Sequence, residues 1–162
     1  KNLARKEAAA VRILSEVASV AKARASAEGR APDSIAALDV PRLRGARSPA
    51  EGILEAEGYL FRLAERPRSE GAASAPAPGY VILAWPLKYG RTGNAAFWMD
   101  ETGAGYETRN GRRRYGGLET PLPVTAAEAP REPATGGARR TRRFGADAEE
   151  WRPFVPPPQK KS

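Results

Sequence analysis

Residues 2–28 contain neither proline nor glycine, and their apolar side chains return at the spacing of one helical face: Leu3, Ala10, Leu14, Val17 and Ala21, widened by Val11, Ala18 and Ala25. Arg5, Arg12, Glu16, Ser19 and Lys22 fall elsewhere on the wheel. Alanine, the best helix former, is frequent, and Gly29 stands where a C-terminal capping residue belongs. The segment is expected to be one long helix. Its stripe of small side chains lets a sheet or a second helix approach closely, but buries little area per turn.

The middle of the chain has the period of strands. Residues 59–64 alternate, with Tyr59, Phe61 and Leu63 on one face and Leu60, Arg62 and Ala64 on the other. Residues 80–85 are apolar almost without a break, as in a central strand covered on both faces, and Pro86 ends the run by removing a ladder donor. Residues 90–94 (Gly-Arg-Thr-Gly-Asn) read as a turn, 95–99 as a third strand, 100–103 (Asp-Glu-Thr-Gly) as a tight turn and 104–108 as a short fourth strand. Between helix and strands, residues 32–38 form a short helical turn in which Asp33 or Ser34 caps and Ile35 and Leu38 point inward. Residues 40–57, anchored by Leu43, Ile53 and Leu54, read as loop with one further turn, and 66–78 as a flexible connection.

Beyond Gly117 the sequence turns rich in Pro, Ala, Glu and Arg through Gly137. Such a stretch buries too little apolar surface to offset chain entropy and is expected to be extended or disordered. The sequence thus predicts an α+β fold: a long N-terminal helix packed on a three- to four-stranded antiparallel meander, with an extended C-terminal tail. Residues 1–117 form the head (helix 2–28, sheet 58–108) and 118–162 a Pro/Arg-rich tail.

Composition narrows the chemistry. The 162 residues suffice for one domain that buries roughly two thirds of its unfolded surface. There is no cysteine and no histidine, which removes disulfides, thiolate sites, zinc-type catalysis and Ser-His-Asp hydrolysis. No run reaches the roughly 18 apolar residues of a membrane span. Lys and Arg total 27 against 19 Asp and Glu, a net charge of +8 that suits nucleic acid, anionic lipid or acidic protein.

Two arginine-rich runs are the strongest hint of a partner: Arg112, Arg113 and Arg114, and then Arg139, Arg140, Arg142 and Arg143. Clustered guanidinium groups bind phosphates and carboxylates through paired hydrogen bonds, although such runs in Pro-rich tails also serve only to keep a chain soluble. Trp151 and Phe154 are too large to leave in water, so they either fold back over an edge of the sheet or contact a neighbouring subunit. The aromatic set Tyr59, Phe61, Tyr80, Trp85, Tyr89, Phe97 and Trp98, interleaved with Arg62, Lys88 and Arg91, has the residue types of a stacking platform, but alternation puts most of these rings in a core. Asp100, Glu101 and Glu107 are oxygen ligands near one turn, more simply read as a solvated hairpin than as a cation site. Gly90-x-x-Gly93 lacks the strand-to-helix context of a phosphate loop. No catalytic residue, cofactor-binding residue or metal ligand is assigned, and no enzyme activity is expected.

The ordered series of a helix, the turn Pro-Asp-Ser-Ile-Ala-Ala-Leu, two Gly-Tyr strands, Ala84-Trp85-Pro86, Tyr89-Gly90-x-Thr92-Gly93, Phe97 and Asp100-x-x-Gly103 resembles the soluble heads of bacterial type IV pilin-like proteins, including the type II secretion pseudopilins. It is also similar to uncharacterised secreted bacterial proteins with the same Gly-Tyr, Ala-Trp-Pro and Tyr-Gly-x-x-Gly elements. The resemblance covers roughly residues 2–117. It implies a structural, non-catalytic subunit of a pilus or pseudopilus, made as a prepilin, whose partners are other pilin-like subunits. It further implies attachment to the inner membrane through an apolar helix ahead of Lys1, with the head in the periplasm or outside the cell; an acidic partner for the tail is suggested separately, by the arginine runs. The multi-Asp calcium loop of some pseudopilins is missing, and the tail after Gly117 matches no pattern of that family. The alternative is a basic binding module that holds nucleic acid or another anionic polymer through its Arg runs, with nucleic acid the less favoured partner.

Overall fold

The computed structural model describes residues 3–65, 79–127, 143–144 and 150–154. Helix α1 runs Leu3–Glu28 and ends at Gly29, whose φ of 69° admits the left-handed cap and whose N–H donates to the Ala25 carbonyl at 2.8 Å. Ala10, Ile13, Leu14, Val17, Ala21 and Ala25 form its buried stripe. Two 3-10 turns come next, Ile35–Ala37 and Pro41–Leu43, and they seat Ile35 and Leu43 in the core together with Leu38 and Val40. Ser34 occupies the cap position of the first turn without a side-chain hydrogen bond.

The sheet corrects the expected three- to four-stranded meander. Among the described residues it has eight strands: β1 Arg47–Ala50, β2 Ile53–Ala56, β3 Tyr59–Glu65, β4 Tyr80–Pro86, β5 Ala96–Asp100, β6 Gly105–Thr108, β7 Arg143–Phe144 and β8 Glu150–Phe154, in the order β1-β2-β3-β4-β5-β6-β8-β7. Every pairing is antiparallel. β1 and β2 lie in the stretch expected to be loop. They are four-residue strands, β1 at the edge and β2 between it and β3, and the hairpin between β2 and β3 turns on Glu57-Gly58, with φ of 54° and 79°. Positive φ at both central residues is what a two-residue hairpin needs, so turn geometry decides this region and apolar content does not.

The extended tail is corrected as well. β8 pairs with β6 through Gly105↔Phe154, Tyr106↔Pro153 and Glu107↔Arg152, and β7 pairs with β8. Among the described residues, Pro153 lies past the two residues of β8 that meet β7.

Strand alternation divides the core into two layers. Tyr59, Phe61, Leu63, Tyr80, Ile82, Ala84, Phe97 and Met99 pack with the stripe of α1. Leu60, Val81, Leu83, Trp85, Ala96 and Trp98 face the other way and are covered by Tyr115, Leu122, Ala126 and Trp151. Leu122 and Ala126, from the region expected to be unable to bury surface, thus roof the second face, Ala126 within the 3-10 turn Val124–Ala127. β4 is buried along its whole length because it has a roof on each side. Among the described residues no helix is long and apolar enough to cross a membrane.

Candidate functional site

One end of the sheet gathers the first turns of α1, the β2–β3 turn, the β4–β5 loop and the loop after β6. Glu7 ties the helix to it, its Oε1 accepting from the N–H groups of Asn94 (3.0 Å) and Ala95 (3.2 Å). Tyr59 donates from its hydroxyl to the Ala95 carbonyl at 2.8 Å. Burial, and secondarily the Glu7 carboxylate, push its phenol far above the usual tyrosine range. Gly93 is required beside it, since a methyl group there would come within 2.6 Å of Tyr59 Cε1. Within the same loop the Thr92 and Arg91 N–H groups donate to the Lys88 carbonyl at 2.9 and 3.0 Å, and Thr92 Oγ1 accepts from the Lys88 N–H at 2.9 Å. This closed turn holds Lys88 and Arg91 out in solvent.

Asn110 organises the second loop. It is fully buried with φ of 60°, its Nδ2 donates to the carbonyls of Asn94 (3.0 Å) and Tyr115 (2.9 Å), and its Oδ1 accepts from the Tyr115 N–H at 2.7 Å. Asparagine tolerates the left-handed region better than most side chains, and here its amide stands in for a strand partner. The residues it brackets, 111–114, are thrown outward, and Arg109, Arg112, Arg113 and Arg114 are all exposed. Arg114 itself has φ of 51°, a conformation that costs a bulky residue of order 1 kcal/mol, and its guanidinium carbon sits 5.9 Å above the Tyr89 ring. The loop closes through paired Gly116 and Thr120 hydrogen bonds, while Gly117 donates to the Pro86 carbonyl and accepts from Trp85 Nε1, both at 2.9 Å. At its tip Leu118 is 45% exposed, the one large apolar side chain left in solvent among the described residues.

Among the described residues this end is strongly cationic. Arg5, Lys6, Lys88, Arg91, Arg109, Arg112, Arg113 and Arg114 stand in these segments with Glu7, Glu57 and Glu119 as the described carboxylates, and Glu7 is already engaged by backbone amides. Guanidinium and ammonium groups so placed offer many donors to phosphate or carboxylate oxygens.

Of the residues singled out from sequence, Arg112, Arg113 and Arg114 lie in this cluster. Arg139, Arg140 and Arg142 fall outside the described residues. The backbone of Arg143 is in β7, opposite Trp151. Trp151 is 1% exposed and packs against Trp98 with ring centroids 6.3 Å apart, so it is a core residue and has no surface to give a neighbouring subunit. Phe154 is half-buried on the other face, edge-on to Phe97 at 5.9 Å and pressed over Gly105. Of the aromatic set, Tyr89 alone is only half-buried. Asp100 Oδ1 accepts from Thr102 and Ala104 N–H groups at 2.9 and 3.1 Å, which makes it the organiser of the β5–β6 turn; among the described residues no group of three or more His, Cys, Asp or Glu could hold a metal ion.

Sequence reasoning did not assign Arg5, Lys6, Arg109 or Leu118 to a site. Arg109 carried a signal in its nearness to the 112–114 run; the others join it only through tertiary structure. No protein-family model, no curated protein and no solved structure matches this chain.

Proposed function

We propose that this chain is the head of a non-catalytic, pilin-like filament subunit of a bacterial pilus or type II secretion-type pseudopilus. The observation that carries the reading is the way α1 lies along the sheet. Its Ala-rich stripe packs on the meander strands β3, β4 and β5, while Arg5, Ala8, Arg12, Ser19, Lys22 and Ala23 remain exposed on its other side. A rod with one face committed to its own sheet and one face open can continue as an apolar helix into a filament core while the sheet stays outside. In this reading the head faces the periplasm or the cell exterior and its partners are other pilin-like subunits. No step of the function forms or breaks a bond after assembly.

The test uses the natural reading frame expressed in its own host. The expected product begins with a short basic leader that is cleaved ahead of about 20 apolar residues, and it sediments with sheared filaments. Cysteines placed at Ser19 and Lys22 are expected to crosslink to neighbouring subunits, read against the reading frame without them; residues 1–162 hold no cysteine. A reading frame without such a leader, or a protein recovered free of any filament, overturns the proposal.

The exposed arginines around Tyr89 favour a second reading, a basic module for nucleic acid or another anionic polymer. Salt-sensitive binding to duplex DNA that disappears when the arginine runs are neutralised would select it.

A further inference from the structure

We infer that the cationic loop end is a membrane-facing surface that rests on anionic lipid headgroups, with Leu118 set into the interface. The inference deepens the pilin-like reading and rests on it for orientation: the loops in question surround the N-terminal end of α1, the end from which an anchoring helix would continue toward the bilayer.

Three independent observations converge on lipid. The first is charge: Lys88, Arg91, Arg109, Arg112, Arg113 and Arg114 are exposed together on two adjoining loops, joined by Arg5 and Lys6 from the helix. Cations near an anionic leaflet each strengthen attachment about fivefold, an attraction that fades beyond a Debye length. The second is Leu118. A leucine held in water at the tip of a turn pinned by Gly116, Thr120, Trp85 and Pro86 gains by entering the headgroup boundary, whereas a nucleic-acid groove offers it little. The third is rigidity. Asn110 fixes the 111–114 loop against Asn94 of the neighbouring loop, so the cations form one preset surface. Tyr89, half-buried beneath Arg114, adds an amphipathic ring at the same level.

The experiment is co-sedimentation of the 162-residue chain with vesicles of phosphatidylcholine, alone or mixed with phosphatidylserine. Binding is expected to the mixed vesicles and not to the neutral ones, and to weaken with added salt. The triple variant Arg109→Ser, Arg112→Ser, Arg113→Ser is expected to lose on the order of a hundredfold in affinity while keeping its circular dichroism. Leu118→Ser is expected to lose several-fold and to keep the salt dependence. An environment-sensitive dye on Leu118→Cys should shift to the blue on mixed vesicles, and the same dye on Ala104→Cys, at the opposite end of the sheet, should not. Equal binding to both vesicle types, an equal shift at residue 104, or abolition of binding by neutralising Arg139, Arg140, Arg142 and Arg143 while the triple variant binds normally would each overturn the inference. So would duplex DNA that displaces the chain from vesicles at matched phosphate concentration. Filament incorporation without preference for anionic vesicles sinks the lipid contact alone; vesicle binding by a chain that never enters filaments sinks the pilin-like reading and leaves the lipid contact standing.

Discussion

Asn110 illustrates how one buried polar side chain can position a surface that it never reaches. Its amide satisfies three backbone groups of two different loops, and its positive φ turns the chain so that the next residues point outward. Replacing it with Ala leaves the Asn94 and Tyr115 carbonyls and the Tyr115 N–H without that partner and strains the left-handed backbone. We expect Asn110→Ala to cost about 2–4 kcal/mol in urea unfolding, well above the effect of a surface substitution. Tyr59 has a different signature. Its folded pKa is raised by burial first and by Glu7 second, while the unfolded phenol ionises near pH 10. The raised value means that the contribution is fully present below about pH 10 and is lost as pH rises above it, because only the unfolded state can then release the proton. Tyr80 acts in the same direction, through burial and then Glu101 and Asp100. Tyr59→Phe should therefore be less stable at neutral pH by about 1 kcal/mol, from the lost bond to Ala95, yet decline less steeply above pH 10 in an unfolding series.

Among the elements, β8 contributes to both core layers. Trp151 and Phe154 are an odd number of residues apart, so the two rings point to opposite faces of the sheet, one under Trp98 and one over Gly105. Trp151→Ala should cost about 3–5 kcal/mol, seen as a lower unfolding midpoint with a two-state transition retained. That odd spacing was present in the sequence, but Pro153 and the proline-rich surroundings masked it. β3, β4 and β5 were legible because their apolar residues either alternate or run unbroken between Gly-Tyr and Pro or Asp punctuation. β1 was not: Arg47-Ser48-Pro49-Ala50 is an exposed edge with no β-branched residue, and its pairing depends on the Glu51-Gly52 turn more than on burial. The helix stripe was readable for the opposite reason, since alanine favours helix in any context and Gly29 marks its end. The basic site was half legible. Its 112–114 run is visible in the sequence, whereas Lys88 and Arg91 reach it only because the loops after β4 and β6 adjoin, and Leu118 looked like the start of a tail.

At the scale of the whole molecule, the C-terminal segment completes the sheet and shields it. With β8 in place, Gly105–Glu107 of β6 gain a ladder partner, and among the described residues the last strand on that side is β7. A chain ending at Ala127 keeps α1 and β1 through β6 but leaves the ladder of Gly105–Thr108 open, removes Trp151 from the second face and Phe154 from the first. Both core layers then lose an aromatic side chain at the same edge where backbone donors and acceptors become available. We expect that truncated chain to unfold at a clearly lower urea midpoint and, in analytical ultracentrifugation, to self-associate at concentrations where the full chain does not. The single substitution Trp151→Ala in the full chain separates the two effects, because it removes the packing and keeps the strand: it should lower the midpoint without promoting association. A truncated chain as stable and as monomeric as the full one would mean that the sheet is complete at β6, and that the residues after Ala127 add to the surface without being part of the fold.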